Sequence, residues 1–508
     1  MKSPSTELFE LIQSLSKGEK IFFRKYSAIY ATHKDNKYIQ LFEGIDKQDE
    51  YNEKKIVKEN RNVAYGTQLS VTKNYLYNQL LDSIPTHHSS VNIELRNQIN
   101  KVEFLFDKGL YNQSLKELKK AKLYAHKYEL YHSLCELYQY WELPLALRTQ
   151  NLILLDNCLK EWNLEIKRQD NIQAYVKLSF QLALIHSQQG MVREKNHMHK
   201  LKEIISDRLM KDESRALTFT SKVMYNNIKG IYWETMGDVN GKYKHFKRVI
   251  ELFDEHPEKV KIKTLNYVAR INNYLLAISD LKRYDEMQEC LDKMKESAAL
   301  AVTKLEKTRQ FYYYYSNLLH YYFVTGNFSQ SISIIPTITS EIKKHQDSLT
   351  IIEKTLLFVN ISNVFFCAKN YKQCIHWLNK IRNEIHSKNF PDVQATIHLL
   401  YLILHYEAGS GENLLASLIK SDKNFFSKRK RLYKFEKILL TFFKRNMVSK
   451  SEKTNLKEEY ALLKKEMLEL EKDPFEKNAF RYFDFFLWVD SKIENRPIEE
   501  IAREKARM

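Results

Sequence analysis

The sequence predicts an all-α protein built from consecutive helical hairpins, and two features carry this prediction. Only 11 glycines and 8 prolines occur among the 508 residues, well below the usual ~7% and ~5%. This scarcity disfavours turn-rich β-sandwiches, β-barrels and folds built on glycine-rich phosphate loops. In addition, one helical pattern recurs along the chain at a nearly fixed spacing, as in proteins made of stacked helical units. With 28% charged and 44% hydrophobic residues, the composition argues against wholesale disorder.

The first 90 residues are predicted to form a helical N-terminal subdomain that lies outside the recurring pattern. A serine-capped helix over Ser5–Leu15 opens it, and Ser16 and Glu19 have the spacing of a capping box at the start of the next helix. A further helix is predicted over Leu69–Ile84. This helix is either the second helix of a DNA-binding helix-turn-helix or a packing helix of a capping subdomain.

The recurring pattern occupies residues 91–420. Each unit has a turn followed by a row of mostly apolar or small residues. The row begins at a residue that is usually aromatic, which we call the anchor, and continues at positions +3, +7 and +10 from it. This 3-4-3 spacing places the side chains on one face of a helix. A long apolar and aromatic stretch precedes each turn, so each unit is predicted to be a helical hairpin. From the second anchor onward the intervals are 43–47 residues, and the anchors are Tyr111, Val192, Val239, Tyr284, Phe328 and Tyr371.

Two further units are predicted from weaker signals. Tyr111 and Val192 lie 81 residues apart (192 minus 111), which accommodates an additional unit centred on residues 145–158. Another unit is predicted around residues 409–418. The array would then contain at least six hairpins.

The unit around Val239 resembles a tetratricopeptide (TPR) repeat. The resemblance rests on a glycine in the first helix, a Gly-Asp pair before the anchor, an aromatic residue after it and a closing proline: Gly230, Gly237, Asp238, Phe246 and Pro257. It extends over roughly residues 95–420, although these units are longer than the family's period of about 34 residues. The small residue expected at +3 is present as Ser114, Ser331 and Cys374 but is replaced by Lys242 and Met287. The resemblance implies a right-handed superhelix whose concave groove binds a peptide or a partner helix.

Asparagine recurs eleven residues before the anchors, on the first helix of each hairpin. The six positions read Asn100, Gln181, Ile228, Asn273, Asn317 and Asn360, and Asn227 lies beside the exception. Asparagine is a poor residue for a helix interior, so its recurrence requires a reason. In TPR-like proteins the matching position faces the groove, and an amide can pair with both the N–H and the C=O of an extended chain. The amides are therefore predicted to bind a peptide. The alternative is that they only bridge adjacent helices.

The chain carries a net charge of +18, and half of this excess falls in one segment. Residues 420–450 contain 11 Lys or Arg against 2 Asp or Glu, a net +9. The cationic side chains alternate with aromatic ones along a predicted helix. They are predicted to contact an acidic protein or nucleic acid, or else to form an ordinary solvated face whose aliphatic stems cover apolar surface. The residues singled out are Lys428, Arg429, Lys430, Arg431 and Lys434.

Residues 421–508 are predicted to form this basic helical region and a C-terminal helical cap. The stretch Ala479–Ile493 is apolar on nearly all sides. Arg481, Asp484 and Asp490 interrupt it, which favours a helix buried against the last hairpin over a membrane anchor.

No pattern of catalytic chemistry is found in the sequence. It has no GxxxxGK[ST] phosphate loop, no GxGxxG, no HExxH and no cysteine pair with zinc spacing. We therefore expect no enzyme activity, no cofactor and no metal. Five cysteines without a CxxC pair, together with the absence of a signal-peptide pattern, predict a cytoplasmic protein in a reducing compartment with no membrane partner. A composition rich in Lys, Asn, Ile and Tyr suggests a bacterial origin.

The function predicted from these features is that of a non-enzymatic scaffold or adaptor, which captures a protein or peptide in the groove of a TPR-like solenoid. The alternative is a nucleic-acid-associated regulator that contacts phosphates through residues 1–90 or 420–450. Salt dependence separates the two functions, because binding through several phosphate contacts weakens steeply as salt rises.

Overall fold

The computed structural model describes residues 5–30, 37–59, 69–87, 90–384, 390–448 and 456–507, and within these ranges the chain is helical and has no β-strand. The all-α prediction is therefore confirmed. Contacts divide the chain into two compact units, Met1–Lys167 and Arg168–Met508. The predicted boundaries at residues 90 and 420 stay predictions, and the division falls inside one long helix, α10 (Leu152–Gln189).

The helices of the first unit, with α10 continuing into the second, are α1 (Glu7–Ser14), α2 (Lys17–Tyr30), α3 (Lys37–Asp46), α4 (Glu53–Glu59), α5 (Leu69–His87), α6 (Val91–Asp107), α7 (Tyr111–Lys127), α8 (Tyr131–Leu137), α9 (Leu143–Arg148) and α10 (Leu152–Gln189). The first helices of the second unit are α11 (Lys195–Ile205), α12 (Phe219–Met236), α13 (Val239–Glu255), α14 (Glu258–Ile262), α15 (Thr264–Asp280), α16 (Tyr284–Glu296), α17 (Lys304–Val324) and α18 (Phe328–Lys344). The remaining helices are α19 (Ile351–Cys367), α20 (Tyr371–Glu384), α21 (Pro391–Glu407), α22 (Glu412–Lys428), α23 (Lys434–Val448), α24 (Leu456–Lys472), α25 (Phe485–Glu494) and α26 (Ile498–Arg507).

The beginning of the first unit is a small helical core formed by α1–α5. Its interior consists of aliphatic and aromatic side chains from all five helices, among them Phe23, Phe42 and Leu76. The predicted capping box is confirmed: the Ser16 N–H donates to the Glu19 carboxylate at 2.7 Å, and the Glu19 N–H donates to the Ser16 hydroxyl at 3.3 Å. The helix predicted over Leu69–Ile84 is also present, as α5.

Five of the six anchors are the first residue of a helix. Tyr111, Val239, Tyr284, Phe328 and Tyr371 begin α7, α13, α16, α18 and α20. In each case the preceding helix packs against the new one, and the two form a helical hairpin. Within the second unit, each hairpin also contacts the next: α13 packs against α15, α15 against α17 and α17 against α19. The weak unit around residues 409–418 is the hairpin of α21 and α22.

The unit predicted around residues 145–158 is wrong. This region contains α8, a π-helical turn over Tyr138–Glu142, α9 and the start of α10, which continues without a break for 38 residues. The sequence of α10 contains no glycine or proline, so nothing ends the helix before Gly190. For the same reason Val192 lies in the turn before α11 and does not begin a helix.

The position three residues after the anchor is buried in every hairpin, whatever residue occupies it. Ser114 fits because its hydroxyl donates to the Val102 carbonyl of the preceding helix at 2.9 Å. Lys242, which is only 1% exposed, instead extends through the interface to the Asp280 carboxylate and donates to the Leu276 carbonyl at 3.2 Å. The lysine that departs from the TPR pattern thus forms an ion pair with the next hairpin.

The C-terminal segment, residues 473–507, packs across the ends of several hairpins. Arg481 donates to Glu234 at 2.7 Å and to Asp280 at 2.8 Å, and Arg503 donates to the Gly326 carbonyl at 2.9 Å. Only part of the apolar stretch Ala479–Ile493 is α-helical, because α25 begins at Phe485. No helix in the described ranges is long and apolar enough to span a bilayer.

The close approach of α12 and α13 depends on Gly230, and this generates a testable prediction. A Cβ at Gly230 would overlap the ring of Phe246, which is itself buried. Gly230→Ala should therefore lower the free energy of unfolding by about 1–3 kcal/mol, the usual cost of overpacking, measured by chemical denaturation. The control is the double variant Gly230→Ala/Phe246→Leu, in which the shorter side chain leaves room. If the two changes cost as much together as the sum of the single variants, the steric explanation is incorrect.

Candidate functional site

Four of the predicted asparagines lie in one row across successive first helices. Asn273 on α15 donates to the Asn227 side-chain oxygen on α12 at 3.1 Å. Asn317 on α17 donates to Asn272 on α15 at 2.8 Å, and Asn360 on α19 donates to the Ser316 hydroxyl on α17 at 3.3 Å. We call Asn227, Asn273, Asn317 and Asn360 the amide row. Each amide thus bridges two neighbouring helices, which is the structural alternative weighed above.

The other two predicted amides are not part of this row. Asn100 lies on α6 in the first unit and Gln181 lies on α10; both side chains are exposed, and neither forms a hydrogen bond with a described residue. The eleven-residue offset therefore marks related positions only where one hairpin stacks directly on the next.

Arg270 on α15 lies next to the amide row and differs from neighbouring arginines in its hydrogen-bond partners. Its guanidinium donates to the Asn227 side-chain oxygen at 2.6 Å, and its Nε is buried with no hydrogen-bond partner in the described chain. Burial lowers the pKa of Arg270, and the one neighbour that opposes this effect is Tyr313. By contrast, Arg309 on α17 pairs with the Glu353 carboxylate. Arg270 is thus a half-buried cation that pairs with no carboxylate among the described residues.

One amide that the sequence did not single out contacts the backbone of the C-terminal segment. Asn363 on α19 donates to the Tyr482 carbonyl in the irregular segment before α25 at 3.0 Å, and its own side-chain oxygen is buried without a partner. The equivalent positions of the other hairpins are not asparagines, so no recurring pattern points to it. This contact joins α19 to the chain's own C-terminal segment through one backbone carbonyl.

The turn between α10 and α11 joins parts of the second unit that are distant in sequence. The Phe390 N–H donates to the Ser187 carbonyl at 3.0 Å, and the Met191 N–H donates to the Asp392 carboxylate at 2.6 Å. Gly190 has φ +73°, and a Cβ there would overlap the same carboxylate. Only glycine satisfies both the left-handed conformation and this close approach.

Arg193 lies at the centre of this junction. It donates to both oxygens of Glu436 at 3.2 and 3.1 Å and to Glu476 at 2.9 Å, and its side chain is only 4% exposed. Glu476 also accepts the Lys434 and Phe435 N–H groups at the start of α23, at 3.0 and 3.2 Å. The free N–H groups of a helix start favour a carboxylate at this place. Two acids and one arginine are thus buried together with most of their hydrogen bonds satisfied.

A cleft of about 660 Å³ opens beside this ion cluster. We call it the junction cleft; its walls are the α10–α11 turn with the start of α11 (residues 188–197), the start of α21 (residues 391–394) and the α22–α23 loop (residues 428–433). Tyr433 stands at one side, with the guanidinium of Arg193 at 4.4 Å and that of Arg431 at 5.5 Å from its ring centre.

The five basic residues singled out from the sequence have different surroundings. Arg431 is half-buried, pairs with the Asp392 carboxylate and donates to the Gln189 carbonyl at 3.0 Å. Lys434 pairs with Asp473 at 2.8 Å. Lys428, Arg429 and Lys430 are exposed on the rim of the junction cleft and form no ion pair with a described residue, although Arg429 stacks on Phe425 at 3.9 Å. Of the five residues singled out, three therefore have no ion pair with a described residue, and these three are consecutive in sequence.

His197 is the buried polar group of the junction cleft. It is 2% exposed, and its Nε2 has no hydrogen-bond partner. Burial lowers the pKa of His197 to about 4, with contributions from His186 and Arg431, while a backbone hydrogen bond to Met191 opposes the shift. The ring is therefore neutral at physiological pH.

Comparison with known proteins provides no assignment, because no family model, no curated protein and no solved structure matches the chain. Among the described residues, no three His, Cys, Asp or Glu side chains are grouped so as to hold a metal ion. Function must therefore be inferred from the amide row with Arg270 and from the junction cleft.

The buried ion cluster predicts a pH-dependent loss of stability in Arg193→Met. Removing the arginine leaves two buried carboxylates without a cation, which should cost about 3–5 kcal/mol of unfolding free energy. Burial already raises the pKa of Glu436. A carboxyl whose pKa is higher in the folded state favours folding at low pH, and this contribution is lost as pH rises through the folded-state pKa. The loss should therefore be larger at pH 8 than at pH 5 in denaturation experiments.

The matched control is Arg193→Met combined with Glu436→Gln and Glu476→Gln, which removes all three charges. This variant should recover much of the stability, and its difference from wild type should depend little on pH. A single variant that is equally destabilised at both pH values would show that packing, rather than charge, sets the cost.

Proposed function

We propose that the chain is a non-enzymatic scaffold that binds an acidic, extended peptide along the first helices of its hairpins, which form a TPR-like right-handed solenoid. The observation that carries the proposal is Arg270, a half-buried guanidinium whose Nε is buried without a partner and which has no carboxylate partner in the described chain. A partly buried charge without a counter-ion is costly for a folded protein. A peptide carboxylate would supply the missing counter-ion.

The amide row contributes to this function mainly by holding Arg270. The Asn227 oxygen accepts from both Arg270 and Asn273, so the row fixes the guanidinium with respect to α12 and α15. Asn273 and Asn360 are half-buried, and each amide has more hydrogen-bonding capacity than its bond within the row uses. The contact between Asn363 and the Tyr482 carbonyl supports the proposal further, since there an amide on a first helix donates to a backbone carbonyl of another segment.

The alternative function, contact with nucleic acid through residues 1–90 or 420–450, has less support. Arg431 and Lys434 are engaged in ion pairs within the protein. Of the five residues singled out from the sequence, only Lys428, Arg429 and Lys430 have no ion pair with a described residue. If this alternative is correct, binding of a DNA or RNA oligonucleotide should weaken steeply with salt.

The test is selection of 12-residue peptides from a random display library on the wild-type protein, followed by affinity measurement with fluorescently labelled peptides. The selected peptides should be enriched in Asp and Glu. Arg270→Gln should weaken their binding at least about tenfold, as expected for loss of a buried charged contact worth about 1.4 kcal/mol or more. In the absence of peptide, the same variant should melt at the same or a higher temperature, because it removes an uncompensated charge.

The amide row is tested by replacing Asn273, Asn317 and Asn360 together with alanine. The control replaces three exposed asparagines on second helices, Asn240, Asn413 and Asn424. Weaker peptide binding in the first triple variant alone would support a role in binding. A large fall in melting temperature with unchanged binding by the folded fraction would assign the row to helix bridging only. Library selection without acidic enrichment, or affinities unaffected by Arg270→Gln, would refute the proposed function.

A further inference from the structure

The part of α10 that belongs to the first unit, residues 152–167, is packed on one side only. On that side Cys158 and Glu165 are buried. At about 100° per residue, the opposite side of the helix carries every fourth residue from 152 to 164. All four of these residues are exposed, and we call them the α10 ridge: Leu152, Asp156, Lys160 and Leu164.

The leucines of the α10 ridge belong to a local concentration of exposed apolar side chains. Leu152 and Leu164 are 75% and 51% exposed, and Ile153, which follows Leu152, is 78% exposed. Of the 23 large apolar side chains that are exposed in the described ranges, six fall between residues 140 and 164. Single exposed apolar side chains are normal on a protein surface, whereas a concentration of them marks a surface that meets another molecule.

The order of residues in the α10 ridge favours a second copy of the same chain as that molecule. The ridge is symmetric about residue 158, because 152 and 164 are each six residues from it and 156 and 160 are each two residues from it. In an antiparallel pair of α10 helices that cross at residue 158, Leu152 meets the partner's Leu164 and Asp156 meets the partner's Lys160. An in-register parallel pair would instead place like charges opposite each other. A two-fold interface requires a surface that is complementary to itself, and the antiparallel pair satisfies this requirement.

The spacing of the α10 ridge also suits such a crossing. Rows of residues four apart form the ridges that interdigitate when two helices cross at about −50°, the commonest helix packing in globular proteins. Within one chain, Lys160 pairs with Asp156 at 2.6 Å, but both side chains are more than 60% exposed. A pair as exposed as this contributes little to the stability of the monomer. The two charges therefore exchange their partners across a dimer interface at little cost.

We propose that two copies of the chain associate about a two-fold axis through the exposed side of α10, with the two helices antiparallel and crossing at residue 158. Burial of Leu152, Ile153 and Leu164 from both copies drives the association. Two ion pairs between Asp156 and the partner's Lys160 fix the direction and register of the helices. Because one helix face is a small interface, the dimer is expected to be weak.

Self-association is measured by sedimentation velocity on the full chain, from about 1 to about 100 μM, the range expected for a small interface. The wild-type protein should change from monomer to dimer within this range. A protein that stays monomeric at the highest concentration, or that continues to larger assemblies instead of stopping at a dimer, would overturn the proposal. Arg270 and the amide row lie in the second unit, so failure here leaves peptide binding by the hairpins unaffected.

The ion pairs are tested with two charge-reversal variants, Asp156→Lys and Lys160→Asp. Each variant places like charges opposite each other, and each change acts twice in a two-fold dimer. Each variant alone should therefore dimerise at least about tenfold more weakly than wild type. A 1:1 mixture of the two should dimerise about as well as wild type, because the introduced lysine of one chain then faces the introduced aspartate of the other and the native pair is kept at the second contact. A mixture as monomeric as the separate variants would overturn the proposed pairing.

The matched control reverses the charges of an equally exposed ion pair on another helix, with Glu469→Lys and Lys472→Glu on α24. These variants change the net charge by the same amounts and should alter dimerisation by less than about twofold, as expected for changes away from an interface. Equal weakening in the control would show that only general charge repulsion matters, which contradicts a specific interface.

The apolar contact is tested with Leu152→Gln. This variant should weaken dimerisation at least about tenfold, because the substitution removes apolar burial at both ends of the interface. The melting temperature of the dilute monomer should stay unchanged, since water already reaches this side chain in the single chain. A folded Leu152→Gln variant that dimerises as strongly as wild type would overturn the assignment of the α10 ridge.

Discussion

The arrangement of the second compact unit depends on the burial of Arg193 between Glu436 and Glu476. Arg193 comes from a turn that lies more than 200 residues before both acids, Glu436 from a helix and Glu476 from an irregular segment. Burying three charges is favourable only when almost every lone pair and proton is matched, and here the start of α23 supplies two further N–H donors to Glu476. The cluster therefore tolerates only one relative placement of α10, α23 and the segment before α25. The positions of the neighbouring elements follow from this placement.

The burial of Arg193 between two acids explains several other contacts of the second unit. Gly190, Met191 and the Asp392 carboxylate meet at the same junction, and the Val192 carbonyl accepts from Asn478 at 2.8 Å. Once the segment after α24 is held there, its continuation brings Arg481 to Glu234 and Asp280 and Tyr482 to Asn363. The junction cleft is the space left between the elements that the cluster brings together. Its walls are thus as rigidly placed as the ion cluster itself.

The asparagine positions show how far sequence reasoning extends toward a site. The stripe of apolar residues located the first helices and aligned Asn273, Asn317 and Asn360 correctly on successive ones. It could not reveal that these amides donate to Asn227, Asn272 and Ser316 on the neighbouring helices. Arg270 and His197 were not singled out at all, because an unpaired buried atom is a property of the surroundings and leaves no mark in residue spacing. Asn363 was missed for the same reason.

What the sequence determined by itself is local: the all-helical class, the capping box at Ser16, the anchors that begin α13, α16, α18 and α20, and the concentration of positive charge in residues 420–450. These features depend on interactions within a few turns of helix, which residue type and spacing control directly. Tertiary structure decided the rest. It neutralised Arg431 and Lys434 with Asp392 and Asp473 while leaving three cations at a cleft, and it buried Lys242 at a position where the pattern called for a small residue. Each of these outcomes depends on a partner that is distant in sequence, and the periodicity of one segment contains no information about the partner that folding places beside it.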